Sequence, residues 1–471
     1  MLNKSFLLAL AASTMLAGCT LIPDYDRPAA PVSATWPEGP AYGPLQAGNE
    51  TRASQIAWQD FFLSPQLQYV IRTALDNNRD LRIAALNIEA ARAAYRVQRA
   101  DLVPSLNATA AGNRQGIPEE ASLTGSDTIT SQYSANIGTT AFELDLFGRL
   151  RSLNQRALEQ YFATEEARTA TQISLIAETA NAYLTLQADR KLLRLTNDTL
   201  AAQKESYNVI KQSFDMGIGS QLDVAQAATQ VETARANQAQ YLRRVAQDKN
   251  ALTLLMGTTI DDAVLEAEGL DTVAMMQDLP VGLSSEVLLD RPDIRQAEHE
   301  LKAANANIGA ARAAFFPPIS LTGSAGLASE SLSNLFSSGA GLAWSFIPQI
   351  TLPIFEGGRN LANLDSAKAN QKIAVARYEK AIQVAFREVA DELAARGTYT
   401  NQWNAQKALV AASQQSYDLS NARYKQGIDS HLNVLDAQRQ LYTAQQNEIA
   451  VQQQRLSNLV TLYKVLGGGA F

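Results

Sequence analysis

The chain has 471 residues, enough for two or three ordinary domains, and its formal net charge of −7 speaks against nucleic acid, which requires a basic footprint. Charged residues make up only 18% and aromatics 7%, while Ala and Gln recur throughout, a composition suited to helices packed closely through small side chains. With two histidines and one cysteine there is material for neither a His/Cys metal cluster nor an intramolecular disulfide, and no cofactor, metal or catalytic residue is expected.

Residues 1–18 read as a signal peptide: Lys4 carries the positive charge, Phe6 to Leu16 form the apolar stretch, and small residues precede Cys19. Leu16-Ala17-Gly18-Cys19 resembles the lipobox of bacterial lipoproteins, which implies cleavage before Cys19 and acylation of that residue as the anchor in outer-membrane lipid. Residues 19–65, rich in Pro and turn formers, read as an extended arm. Beyond the signal there is no run of about 18 apolar residues, so a mature chain that crosses a membrane must do so as a barrel.

The next stretch, 66–256, reads as one repeat. Gln66 to Val103 contains neither Pro nor Gly and has apolar residues at helical spacing, ending before Pro104. Residues 105–114 and 130–147 then alternate as two strands of a β-hairpin, with a slip of phase near Thr140 that predicts a bulge. Residues 148–256 form a long helical hairpin. Its first helix lies in 68 consecutive residues without Gly or Pro between Gly148 and Gly217, roughly 100 Å as helix, longer than a compact domain can house. Gly217 is placed to end that helix, and Ser220-Gln221-Leu222-Asp223 is a capping box that starts the next.

After a connecting equatorial segment, 257–290, the pattern repeats over 291–466. Residues 80–104 match 293–317 with nine identities at an offset of 213, and 214–237 match 424–447 with ten identities at an offset of 210. Strand patterns recur within about 319–355, and a helical hairpin over 357–466 is interrupted only at Gly397; residues 467–471 are a tail. The chain is an internal duplication, each copy a helix, a β-hairpin, a long helix, a corner and a returning helix. Four membrane-type strands are too few to close a barrel, which predicts an oligomer that completes it. The other architecture open to these elements is a lipid-anchored periplasmic coiled-coil scaffold with no pore.

The segments LAGCTLIPDY, FELDLFGRLRS, LPVGLSSEVLLDRPDI, AARAAFFPPISLTGSAG, GIDSHLNVLDAQRQLYTAQQ and LYKVLGGG resemble the outer-membrane efflux lipoproteins of the TolC/OprM family, in order along the whole mature chain. The resemblance implies an α+β membrane protein: a homotrimer with a 12-stranded outer-membrane β-barrel, four strands per chain, continued by a 12-helix periplasmic α-barrel. It implies an exit duct for drugs and small toxic compounds, working with a periplasmic membrane-fusion adaptor and an inner-membrane RND pump that supplies the energy; a type I protein-secretion duct shares the fold. It places the two corners at the periplasmic mouth, with Gly217, Ile218, Gly219 and Ser220, and Gly427, Ile428, Asp429 and Ser430, as adaptor-docking candidates. It makes Leu432 and Asp436, four residues apart on one helix face, the periplasmic gate. Asp436 also stands three residues before Arg439, a spacing at which an ion pair forms on a solvated face. The first copy keeps Leu222 but has Gln226 where Asp436 would stand. His431, at the second corner, reads as a surface histidine, though its place would let titration reach docking.

Overall fold

The computed structural model describes residues 20–43, 52–121, 125–266, 268–280, 285–337 and 340–470. Cys19 and the signal segment lie outside them. By its contacts the chain divides into two units, one drawn from Met1–Ala29, Ile88–Thr164 and Ala297–Tyr378, the other from Ala30–Asn87, Glu165–Gln296 and Glu379–Phe471.

The stretch from Gln66 to Val103 is two helices, not one. α1 (Pro65–Asn77) and α2 (Arg79–Ala100) meet at Asn78. The Asn78 Oδ1 accepts the Leu81 N–H at 3.0 Å, and its Nδ2 donates to the Leu255 carbonyl at 2.9 Å. The break sits where Gly257, at φ +66°, packs so closely that a Cβ there would fall 2.4 Å from the Asn77 carbonyl oxygen. A tertiary contact thus overrides a locally continuous helical pattern.

The first unit holds a four-stranded antiparallel sheet in sequence order: β1 (Asn107–Ile117), β2 (Thr128–Leu144), β3 (Ile319–Ser329) and β4 (Gly341–Ile350). The bulge expected near Thr140 is present: pairing of β2 with β3 slips between Thr139 and Phe142, with Ala141 at φ +51°. β2 ends at Leu144, short of the expected 147, because Asp145 turns to cap the next helix, accepting the N–H groups of Leu150 at 3.1 Å and Arg151 at 2.9 Å. On β4 one parity of side chains is bare: Leu342, Trp344, Phe346 and Ile350 are between 63% and 79% exposed. β1 and β4 each have one ladder edge unpaired among the described residues.

The long helices form as expected. α3 (Arg149–Asp215) and α4 (Gln221–Met256) make the first helical hairpin; α5 (Pro292–Ala313) follows the connecting segment; α6 (Arg359–Lys425) and α7 (His431–Val465) make the second hairpin. Each long helix has 67 residues. The expected interruption at Gly397 does not occur. The helix passes through it, and the glycine serves the arm instead: a Cβ there would sit 2.2 Å from the Ala41 carbonyl oxygen. No helix among the described residues is long and apolar enough to cross a membrane.

Polar layers join the hairpins in the second unit. The Gln446 Nε2 donates to the Tyr241 hydroxyl at 3.0 Å, Thr196 and Tyr442 hydroxyls lie 2.8 Å apart, and Gln238 donates to Asn197 at 2.8 Å. Near the chain end Tyr463 stacks on Phe61 with ring centroids 4.1 Å apart, a contact worth about 0.5–1.5 kcal/mol beyond its area. Gly468 lies where a Cβ would meet the Tyr463 ring at 2.1 Å, so the terminal glycines are a packing requirement.

Candidate functional site: the duplicated corners

α3 ends in a left-handed residue, Gly217 at φ +78°. The Ile218 N–H donates to the Ser213 carbonyl at 2.9 Å and the Gly217 N–H to that of Phe214 at 2.8 Å, the paired bonds of a Schellman end. The second corner repeats this: Gly427 is at φ +73°, Ile428 donates to Arg423 at 3.0 Å and Gly427 to Tyr424 at 2.9 Å. A side chain at either glycine would be strained, which is why both copies keep Gly there. The next residues, Ile218 and Ile428, are exposed.

The corners part company one residue later. At the first, the expected capping box is formed: the Ser220 Oγ accepts the Asp223 N–H at 3.1 Å, and the Asp223 carboxylate accepts the Ser220 N–H at 3.2 Å. At the second, the Ser430 side chain makes no cap bond. Asp429, standing where the first copy has Gly219, instead accepts the Arg423 Nε at 2.5 Å. That hydrogen bond holds the Asp429 carboxyl below its ordinary range and the Arg423 guanidinium above its own. The same turn is thus closed by a neutral cap in one copy and by an ion pair in the other.

Leu432 and Asp436 lie one turn apart on α7, the leucine 48% exposed, while Val434 and Leu435 between them are buried. Asp436 makes the ion pair with Arg439 that the i,i+3 spacing anticipates. Each corner is local; neither brings its residues onto the other.

His431 does reach across. It is no surface residue, as sequence reading had it, but 8% exposed. Its Nε2 lies 3.3 Å from the Ser206 hydroxyl of α3, and the Tyr424 ring of α6 meets it edge-on with centroids 5.1 Å apart. Burial pushes its pKa down, against the pull of Asp223 on α4. Ser206 precedes His431 by 225 residues, so no local signal announces the contact.

Comparison with known proteins adds the family. The sequence model described as "Outer membrane efflux protein" matches residues 70–258 and 283–468. The chain is 53% identical over 468 residues to the antibiotic efflux pump outer membrane protein ArpC of Pseudomonas putida, covering 99% of this chain and 96% of that protein. It is equally similar to the toluene efflux pump outer membrane protein TtgC of a second P. putida strain, 53% over 468 residues with the same coverage. The open state of the MtrE outer membrane channel of Neisseria gonorrhoeae superposes with a TM-score of 0.86 at 42% identity, over 96% of this chain and 99% of that one.

Proposed function

Because the chain belongs to the outer membrane efflux protein family, we propose that it is the outer-membrane exit duct of a tripartite efflux system, passively passing drugs, solvents and other small toxic compounds. The observation that carries this reading is the duplicated chain itself. Each copy supplies two membrane-length strands, the resulting sheet has two open edges and a bare apolar parity, and each copy supplies a helical hairpin ending in a glycine corner. Strands of 10 to 17 residues suit a tilted membrane crossing. Three copies would join β4 of one to β1 of the next and close 12 strands, above the minimum of about eight that a membrane barrel needs.

The protein lies in the outer membrane and reaches into the periplasm, with Cys19 as lipid anchor. At the periplasmic mouth of the trimer, six corners receive the hairpins of an adaptor, which links the duct to an inner-membrane RND pump. Gly217 to Ser220 and Gly427 to Ser430 make these contacts, and Leu432 with Asp436 narrows the resting mouth. No bond is made or broken in the cargo, and the pump supplies the energy.

The test is complementation. In a Gram-negative host deleted for its own efflux channel, this protein with its adaptor and pump should restore toluene and antibiotic tolerance. Purified protein should form ion-conducting oligomers in planar bilayers. Folded, membrane-inserted protein that never conducts would sink the duct and favour the scaffold.

A further inference from the structure

The second corner holds a histidine in a setting built for its neutral form. His431 is the first residue of α7, and all four long helices surround it within one chain. α3 offers the Ser206 hydroxyl to Nε2 at 3.3 Å, and α6 offers the edge of Tyr424. From α4 the charge that acts on the ring is that of Asp223, whose carboxylate is engaged in capping at Ser220. The nearest charges of α6 and the turn, Arg423 and Asp429, are paired with each other; on α7 itself Asp436 is paired with Arg439. The ring is more than nine-tenths buried, and its Nδ1 is buried with no hydrogen-bond partner.

These facts fix the chemistry of the site. A bare Nδ1 lone pair is tolerable, so the neutral ring carries its proton on Nε2 and donates it to the Ser206 oxygen. A second proton would create a buried Nδ1–H with no acceptor, at a cost comparable to a lost hydrogen bond. It would also put a cation at the first turn of a helix, the end whose dipole repels it.

We propose that His431 is an acid-released latch between the two helical hairpins of each chain, holding α7 to α3 while neutral and letting the second corner loosen when protonated. The sign follows from linkage. A loosened corner takes up the proton near the ordinary histidine value and the latched corner only at lower pH, so the latch is intact above the ordinary value and weakens as pH falls below it. Acid on the periplasmic side therefore favours opening. Only this last step rests on the duct reading.

Two measurements test the proposal on the full-length protein. The first is NMR titration of the imidazole signals in detergent, with two histidines in the chain and His299→Gln assigning the other. His431 should titrate below the ordinary histidine range, and Ser206→Ala should raise its titration toward that range by freeing the ring. A value at or above the ordinary range overturns the latch. The second is single-channel recording as the periplasmic side is taken from about pH 7.5 to about pH 5. Open probability should rise about tenfold for each pH unit separating the latched and loosened titrations. His431→Gln, which can still donate to Ser206 but takes up no proton, should remove the rise. An acid response that survives this substitution would assign it to another group and overturn the latch as the acid sensor. Channels that never conduct would count against the duct reading, and the NMR titration then decides the latch alone.

Discussion

A serine that caps a helix differs from one that merely precedes it, and the two corners contain one of each. Ser220 accepts the Asp223 N–H; Ser430 caps nothing with its side chain. Ser220→Ala should therefore cost about 1 kcal/mol locally, seen as faster hydrogen exchange over the first turn of α4, while Ser430→Ala should leave exchange in α7 nearly unchanged. Equal effects would mean that the caps are equivalent. This asymmetry was half legible in the sequence. Asp223 at the third position of α4 signals a capping box, and Asn433 at the matching place in the second copy lacks the carboxylate. Asp436 with Arg439 was legible in the same way, as an i,i+3 pair. His431 was not, because its burial is set by Ser206 and Tyr424, whose approach is a matter of helix packing.

At the scale of elements, period and punctuation carried the reading. Long Gly- and Pro-free runs became the helices, alternation became strands, and a slip of phase became the bulge at Ala141. The failures lie where a residue answers to a distant one. Asn78 breaks a helix for the sake of Gly257 and Leu255, and Gly397 leaves its helix unbroken because the arm at Ala41 passes over it. Gly397→Ala should thus leave helix content intact while displacing the arm, read as new protease cleavage near Ala41; unchanged cleavage would mean that the arm adapts to the methyl. The α3–α4 hairpin contains a second pH-dependent element. Burial and the charge of Asp189 push Asp248 up to about 6, and the two carboxyls are hydrogen-bonded to each other. A raised carboxyl pKa stabilises the fold below the unfolded value near 4, and that contribution is lost as pH rises through about 6. Asp248→Asn should accordingly raise the melting temperature at pH 7 and have little effect near pH 4. Stabilisation that is independent of pH would show that the pair does not share a proton.

For the whole molecule, the question is what keeps a passive duct shut when no pump is attached. Leu432 is an exposed apolar side chain one turn before a carboxylate, and threefold repetition would turn the two into an apolar ring and an acidic ring. Asp436 already has a partner in Arg439, and an exposed pair of this kind contributes only about 0.2–1 kcal/mol. The closed state must therefore be a sum of small terms from each copy. Its opening should be graded as they are removed. Leu432→Ala and Asp436→Ala should each raise single-channel open probability, and the double substitution should raise it by about the product of the two, since the side chains do not touch one partner in common. Arg439→Ala distinguishes two roles for the acid. If Asp436 closes the mouth through its pair with Arg439, the arginine variant opens the channel as much as Asp436→Ala does. If three carboxylates act as a cation-attracting ring, freeing them from arginine leaves the gate closed and increases cation selectivity instead. A double variant that conducts like the wild type would remove this turn of α7 from the gate, and the narrowing would then have to be sought at the glycine corners themselves.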